Sequence, residues 1–314
     1  MKSEADALYN EKYTIGNTAT FQAARGCSTN EHVDSRDTSA TGESSASGWL
    51  ARLELGFTRQ AERTCLSERR RHGPLSVQRP FYPEGEVCHV YLLHPPGGVV
   101  GGDALFLDVY AAPGSQVLVT TPGATKFYRS TGAHALQSQR LGVEAGATLE
   151  WLPQDNIFFP GAKVRLQTRV ELAHGARLAL WENHSLGRPA NDEGFDAGVL
   201  ELELDVRLEG KPLLLEKLRV APGTRHYSSG LRSYPVVATQ LFYPANEAAL
   251  TAAREEIGSR KESRAAATLL DDLLVVRYLG TSSEAARLLF IAIWENLREP
   301  LLERRPSPPR IWAT

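Results

Sequence analysis

From residue 49 onward, apolar and polar side chains trade places in short runs. Leu50, Arg52, Leu53, Glu54, Leu55 and Phe57 come close to alternating, as a half-buried strand does. Val199, Leu200, Glu201, Leu202, Glu203 and Leu204 alternate strictly, and residues 164–172 carry a further strand pattern. Turn residues recur between the runs. Ala112-Pro113-Gly114-Ser115 precedes the apolar run 116–121, and Ala145-Gly146-Ala147 precedes 148–152. His174-Gly175-Ala176 leads into 177–181, and Glu209-Gly210-Lys211 into 213–218. The glycines step by 32, 29 and 35 residues, within the range that marks stacked supersecondary units. The expected fold is mainly β, with strand pairs stacked as a β-solenoid or a layered sandwich.

Helical periodicity stands out only twice, near the C-terminus. Asn246 can cap a helix with Leu250, Ala253 and Ile257 on its apolar side, closed by Gly258. The second starts at Thr281-Ser282-Ser283-Glu284, a capping-box spacing, and is expected to stop at Glu299 before Pro300. Its Leu288, Leu289, Phe290, Ile291 and Ile293 cover every face, which predicts burial all round. Beyond it, residues 306–314 read Pro-Ser-Pro-Pro-Arg-Ile-Trp-Ala-Thr, an extended tail expected to dock through its tryptophan.

Residues 94–103, His-Pro-Pro-Gly-Gly-Val-Val-Gly-Gly-Asp, are the most constrained stretch. Prolines that cannot donate to a ladder and glycines that tolerate positive φ force a tight loop between the strand-like runs 87–93 and 104–110. The glycines do not fit a nucleotide cradle. No Gly-Lys-Ser/Thr runs into a helix, and the position two after Gly97 is Val99.

Composition adds limits. The 314 residues are 42% hydrophobic, enough for a substantial core. Residues 1–47 hold 4 basic and 7 acidic side chains and no periodicity, and 37–48 have a linker-like composition. They are expected to form a disordered extension ahead of a β-rich domain over 48–314. The remaining 31 basic and 30 acidic residues form no dominant basic block, so nucleic-acid binding is not expected. The run Glu68-Arg69-Arg70-Arg71-His72 reads as a solvated edge strand or as a surface for an acidic partner. Cys27, Cys65 and Cys88 are too few and too scattered for a disulfide framework. With no secretion signal at Met1 and no long apolar run, the expectation is a soluble, cytoplasmic protein without membrane contact.

Candidate chemistry is sparse. No Gly-x-Ser-x-Gly or His-Glu-x-x-His occurs, so no enzyme motif is met. Cys88 and His94, six apart on a strand, would share a face and could hold a divalent ion transiently, with His89 pointing the other way. The plainer alternative is a half-buried cysteine and a histidine bonded to the loop. Asp103, Asp155 and Glu182 flank apolar strand ends. Such acids either cap turns or line a wet cavity.

Several segments together resemble the urease accessory protein family UreD, also called UreH. They are the 94–103 loop, Thr120-Thr121-Pro122-Gly123-Ala124-Thr125-Lys126-Phe127-Tyr128-Arg129, Leu152-Pro153-Gln154, Gly187-Arg188-Pro189-Ala190 and Pro309-Arg310-Ile311-Trp312-Ala313-Thr314. The resemblance implies a non-catalytic scaffold and metallochaperone that binds apo-urease and recruits UreF, through which the GTPase UreG engages. It implies no tightly bound cofactor, GTP only on UreG, and nickel in transit through an internal channel. Asp103, Asp155 and Glu182 then become candidate channel acids, since weak oxygen ligands release an ion that N/S ligands would trap. Residues 182–186 and 191–195 depart from the family pattern. Two other readings compete: a polysaccharide-active β-helix enzyme, suggested by the repeat and scattered carboxylates, and a β-sheet binding module without a metal role.

Overall fold

The computed structural model describes residues 48–260 and 264–313. The expected disordered extension, residues 1–47, lies outside them. The chain begins with β1 (Leu50–Gln60) and β2 (Arg63–His72), then the short β3 (Ser76–Val77) and β4 (Cys88–Leu93). Three coils follow. The first runs through β5 (Ala104–Ala111), β6 (Gln116–Thr120) and β7 (Thr125–Phe127), and the second through β8 (Ala135–Val143), β9 (Thr148–Trp151) and β10 (Asn156–Phe158). The third has β11 (Lys163–Leu172) and a long β12 (Arg177–Leu186) that serves two faces. The chain closes with β13 (Val199–Leu208), β14 (Lys211–Val220), β15 (Val236–Tyr243), α1 (Glu247–Gly258), β16 (Arg264–Leu270), β17 (Leu273–Gly280) and α2 (Ser283–Leu302).

Equivalent strands of successive coils pair in parallel, so the fold is the expected β-solenoid. One sheet runs β14-β13-β11-β8-β5-β1-β2, with its five inner strands parallel and antiparallel strands at both edges. The facing sheet runs β16-β17-β15-β12-β9-β6-β4-β3. A third face, too short to show a period in the sequence, pairs β7, β10 and the end of β12.

Parallel, in-register stacking puts like positions on top of one another. Gly114, Gly146 and Gly175 form such a column at the turns, each at positive φ, with Gly114 N–H bonded to Ala145 O and Gly146 N–H to Gly175 O. Gly210 is not the fourth member: it turns the antiparallel β13–β14 hairpin that ends the parallel stack. On the third face Val99, Phe127, Phe158 and Leu186 stack inward, all fully buried, with the two phenyl rings 5.0 Å apart. The main core lies between the two large sheets.

A second core fills the space between the outer face of the ten-stranded sheet and the two helices. Asn246 caps α1, its Oδ1 accepting from Ala249 N at 3.0 Å. Two details of α2 differ from the sequence reading. Ser282, not Thr281, is the cap, and the helix passes through Pro300 to Leu302, because Leu301 and Leu302 are buried and Glu303 closes the last turn at φ 57°. Burial is also one-sided. Ala286, Leu289, Phe290, Ile293, Trp294 and Leu297 follow the 3.6 period onto the sheet, while Leu288 is 46% exposed. The tail docks as expected: Trp312 packs against Trp181 and Trp294 and donates Nε1–H to Thr120 Oγ1 at 3.0 Å.

Arg298 pins this helix to the solenoid. It is fully buried, meets Glu150 of β9 at 2.8 Å and Glu84 at 2.6 Å, and stacks 4.9 Å from the Trp294 ring. Trp294 Nε1–H donates to Glu150 at 2.7 Å, and His89 Nε2 lies 2.6 Å from Glu84. Burial pushes the Glu84 carboxyl up, but hydrogen bonds from His89 and Arg298 and the guanidinium charge outweigh it and hold it below the ordinary range. Glu84 therefore stabilises the fold above pH 4.5 and loses that contribution as pH falls through its lowered value. Arg298→Met, which strands the buried Glu150 and the half-buried Glu84, is expected to cost about 3–5 kcal/mol near neutral pH. The deficit should shrink in acid, where Glu84 protonates and no longer needs its cation. Denaturant melts of both proteins across pH check this, and a pH-independent deficit would contradict it.

Candidate functional site

Strand alternation decides where the predicted acids point. Along β12, Leu178, Leu180 and Leu186 belong to the core between the sheets, while Ala179 and Trp181 lie under α2. Glu182 and His184 therefore face the solenoid interior, and Asn183 faces the helix. Opposite Glu182, one inward row of the seven-stranded sheet reads Leu53, Leu107, Gln139, Thr168 and Leu204 in register. Gln139 and Thr168 interrupt this apolar row. The Thr168 hydroxyl donates to Glu182 Oε1 in a short hydrogen bond and accepts from Gln139 Nε2 at 2.8 Å. On the other oxygen, Glu182 Oε2 lies 3.5 Å from His184 Nε2, whose Nδ1 is 3.4 Å from Asn156 Nδ2.

Of these groups, Glu182, Gln139 and Asn156 border a cavity of about 210 Å³. Glu182, Gln139, Gln137 and Asn156 supply polar wall, and Leu105, Leu107 and Trp151 supply apolar wall. The buried Trp151 Nε1–H has no hydrogen-bond partner among the described residues. The volume is large enough for several waters, and its polar groups suit them. His94, just beyond β4, and Gly97 with Pro122 and Gly123 lie at the other end of the lining.

The structure does not gather the three expected acids. Glu182 alone lines the cavity. Asp155 sits at the start of α2, accepting from Asn183 Nδ2 at 2.8 Å, with burial raising its carboxyl above the usual value against the pull of Ser283 and Arg287. Asp103 caps a turn: its two oxygens accept from Trp49 N at 2.8 Å and Val100 N at 2.9 Å. The weaker set is split as well. Cys88 is buried in the main core near the Tyr82 hydroxyl, 3.8 Å away, and His89 belongs to the Glu84 cluster on the opposite face. His94 is on the cavity wall, and no group of three His, Cys, Asp or Glu poised to hold a metal ion occurs among the described residues. Sequence reasoning missed Gln139, Thr168, Asn156 and His184. A glutamine at 137 and 139, on the inward phase of Ala135, Leu141 and Val143, was the readable sign.

The family model described as UreD urease accessory protein matches residues 50–313. The chain belongs to the UreD family. It is 46% identical over 267 residues to a urease accessory protein UreD of Enterobacter sp. (strain 638), covering 85% of this chain and 96% of the relative. UreD proteins of Pseudomonas entomophila (strain L48), at 47%, and Klebsiella aerogenes, at 46%, match over the same length and cover 95% and 97% of those relatives. Family membership makes this a urease accessory protein. No helix among the described residues is long and apolar enough to cross a membrane.

Burial lowers the His94 imidazole below its usual 6.5, with the Asp103 charge pulling it partly back. An NMR titration should therefore find His94 titrating below 6.5, and Asp103→Asn should move it further down. An upward move would show that Asp103 does not act on it.

Proposed function

We propose that this UreD-family chain is a non-catalytic scaffold of urease maturation that binds apo-urease, engages UreF and, through it, the GTPase UreG, and passes nickel through its interior. The carrying observation is the cavity inside the coils with Glu182 on its wall. One carboxylate beside a hydroxyl and a carboxamide is an oxygen-rich, incomplete coordination set. Such a set lets a divalent ion shed water in part and move on, where a complete N/S shell would hold it. Nickel is cargo in this reading, and GTP hydrolysis belongs to UreG. The work takes place in the cytoplasm, where nickel and apo-urease meet.

Asp103 and Asp155 have no place on this route as wall groups. Asp103 shapes the loop that carries His94, and Asp155 fixes the start of α2. Nothing favours the polysaccharide-enzyme reading: Asp103, Asp155 and Glu182 occupy three separate environments, whereas glycosidic cleavage needs two carboxylates flanking one bond.

Co-expression of urease subunits with and without this chain tests the role through the nickel content of purified urease. Equal nickel in both would end the proposal. Glu182→Gln is expected to lower urease nickel several-fold while a pull-down of apo-urease and UreF stays intact. Loss of assembly instead would make Glu182 a structural residue.

A further inference from the structure

The solenoid has three outer faces; one is covered by helices, and one is charge-paired across its middle strands with exposed Leu50 and Leu215 only on β1 and β14. The ten-stranded sheet is covered by α1, α2 and the docked tail. The seven-stranded sheet faces outward with charges that neutralise one another: Arg52 meets Asp108 at 2.8 Å and Glu54 at 2.6 Å, Arg140 also bonds Asp108, and Arg165 meets Glu201 at 3.0 Å. The third face is different. Its outward column is Val100, Tyr128 and Phe159, with Val100 46% and Tyr128 38% exposed. Tyr128 packs edge-on to Phe159 at 4.8 Å, and its ring lies over Gly98, where a Cβ would come within 2.0 Å of it. Arg188 stacks 4.9 Å from Phe159 while bonded to Glu193, so that carboxylate is already taken.

Two cations on this face, Lys126 and Arg129, have no side-chain hydrogen bond or ion pair among the described residues. Lys126 follows Thr125 of the cavity wall directly, and Gly97, Pro122 and Gly123 of the same lining are exposed. A rigid aromatic platform with unpaired cations at its rim fits a partner whose surface pairs an apolar patch with carboxylates. The Lys126 charge, unneutralised, repels any cation approaching that end of the cavity; it acts over roughly 8 Å at physiological salt.

We infer that this face, centred on Tyr128 and Phe159 with Lys126 and Arg129, is the docking surface for an acidic, apolar-centred patch of apo-urease, placed so that docking neutralises the cationic rim beside the cavity. This rests on the function proposed above. The partner that receives nickel has reason to sit at this rim, because its carboxylates remove the barrier to cation movement only while it is bound. The consequence is coupling between contact and ion passage without any moving part.

The test measures binding of the purified full chain to apo-urease, and separately to UreF. Lys126→Glu with Arg129→Glu changes only exposed side chains, so the thermal melt should not move. Affinity for apo-urease is expected to fall at least about tenfold, and association of the unsubstituted chain to slow with added salt. Lys217→Glu, on the self-paired sheet, should leave both unchanged. Unaltered apo-urease affinity in the double variant overturns the surface while leaving the maturation role standing. Lost UreF binding with apo-urease binding retained also overturns it, assigning the face to UreF. Failure of the unsubstituted chain to bind apo-urease overturns the functional proposal, and the surface with it.

Discussion

A single β-coil cannot bury its own inner row, and that constraint governs everything else in this molecule. Each coil closes its core only against the next, and in-register parallel pairing makes every inward position part of a column. Apolar columns such as Val99, Phe127, Phe158 and Leu186 satisfy the rule directly. Polar residues in the same rows must find partners across the core or face water, since an unpaired buried polar group is costly. Gln139, Thr168 and Glu182 do the first among themselves, and the cavity beside them allows the second. The polar-lined cavity is thus a property of the stack.

The helices answer a different need. An apolar outer face needs cover, and where the ten-stranded sheet is buried on both sides its strand turns apolar at successive positions, as β12 does over Leu178–Trp181. α2 supplies that cover for the ten-stranded sheet, and Arg298 fixes where it lies. A buried guanidinium between two carboxylates contributes little net stability over an apolar replacement of the whole cluster, but it tolerates only one position of the helix.

Much of this was legible in the sequence. Alternation gave the long strands, recurring turn glycines gave the stack, and the unusual loop compositions gave the family. What escaped did so for physical reasons. Strands of three residues such as β7 and β10 carry no measurable period, so the third face was invisible. Gly210 looks like its predecessors locally, and only pairing direction tells a hairpin from a coil turn. The acids were found by type, but position along a strand decides their fate: Glu182 and Asn183 are neighbours in the chain yet lie on opposite sides of a sheet. Arg298 gave no warning, because its carboxylates are 148 and 214 positions away.

That last separation has a consequence for how the molecule is made. During synthesis, Glu84 and Glu150 leave the ribosome well before the guanidinium that joins them, so the growing solenoid holds Glu150 without its cation and Glu84 with His89 alone. Only once α2 has emerged can the two carboxylates be held together out of solvent. Closure of the second core therefore waits for α2, and a product cut short before residue 298 lacks the group that holds Glu84 and Glu150 together.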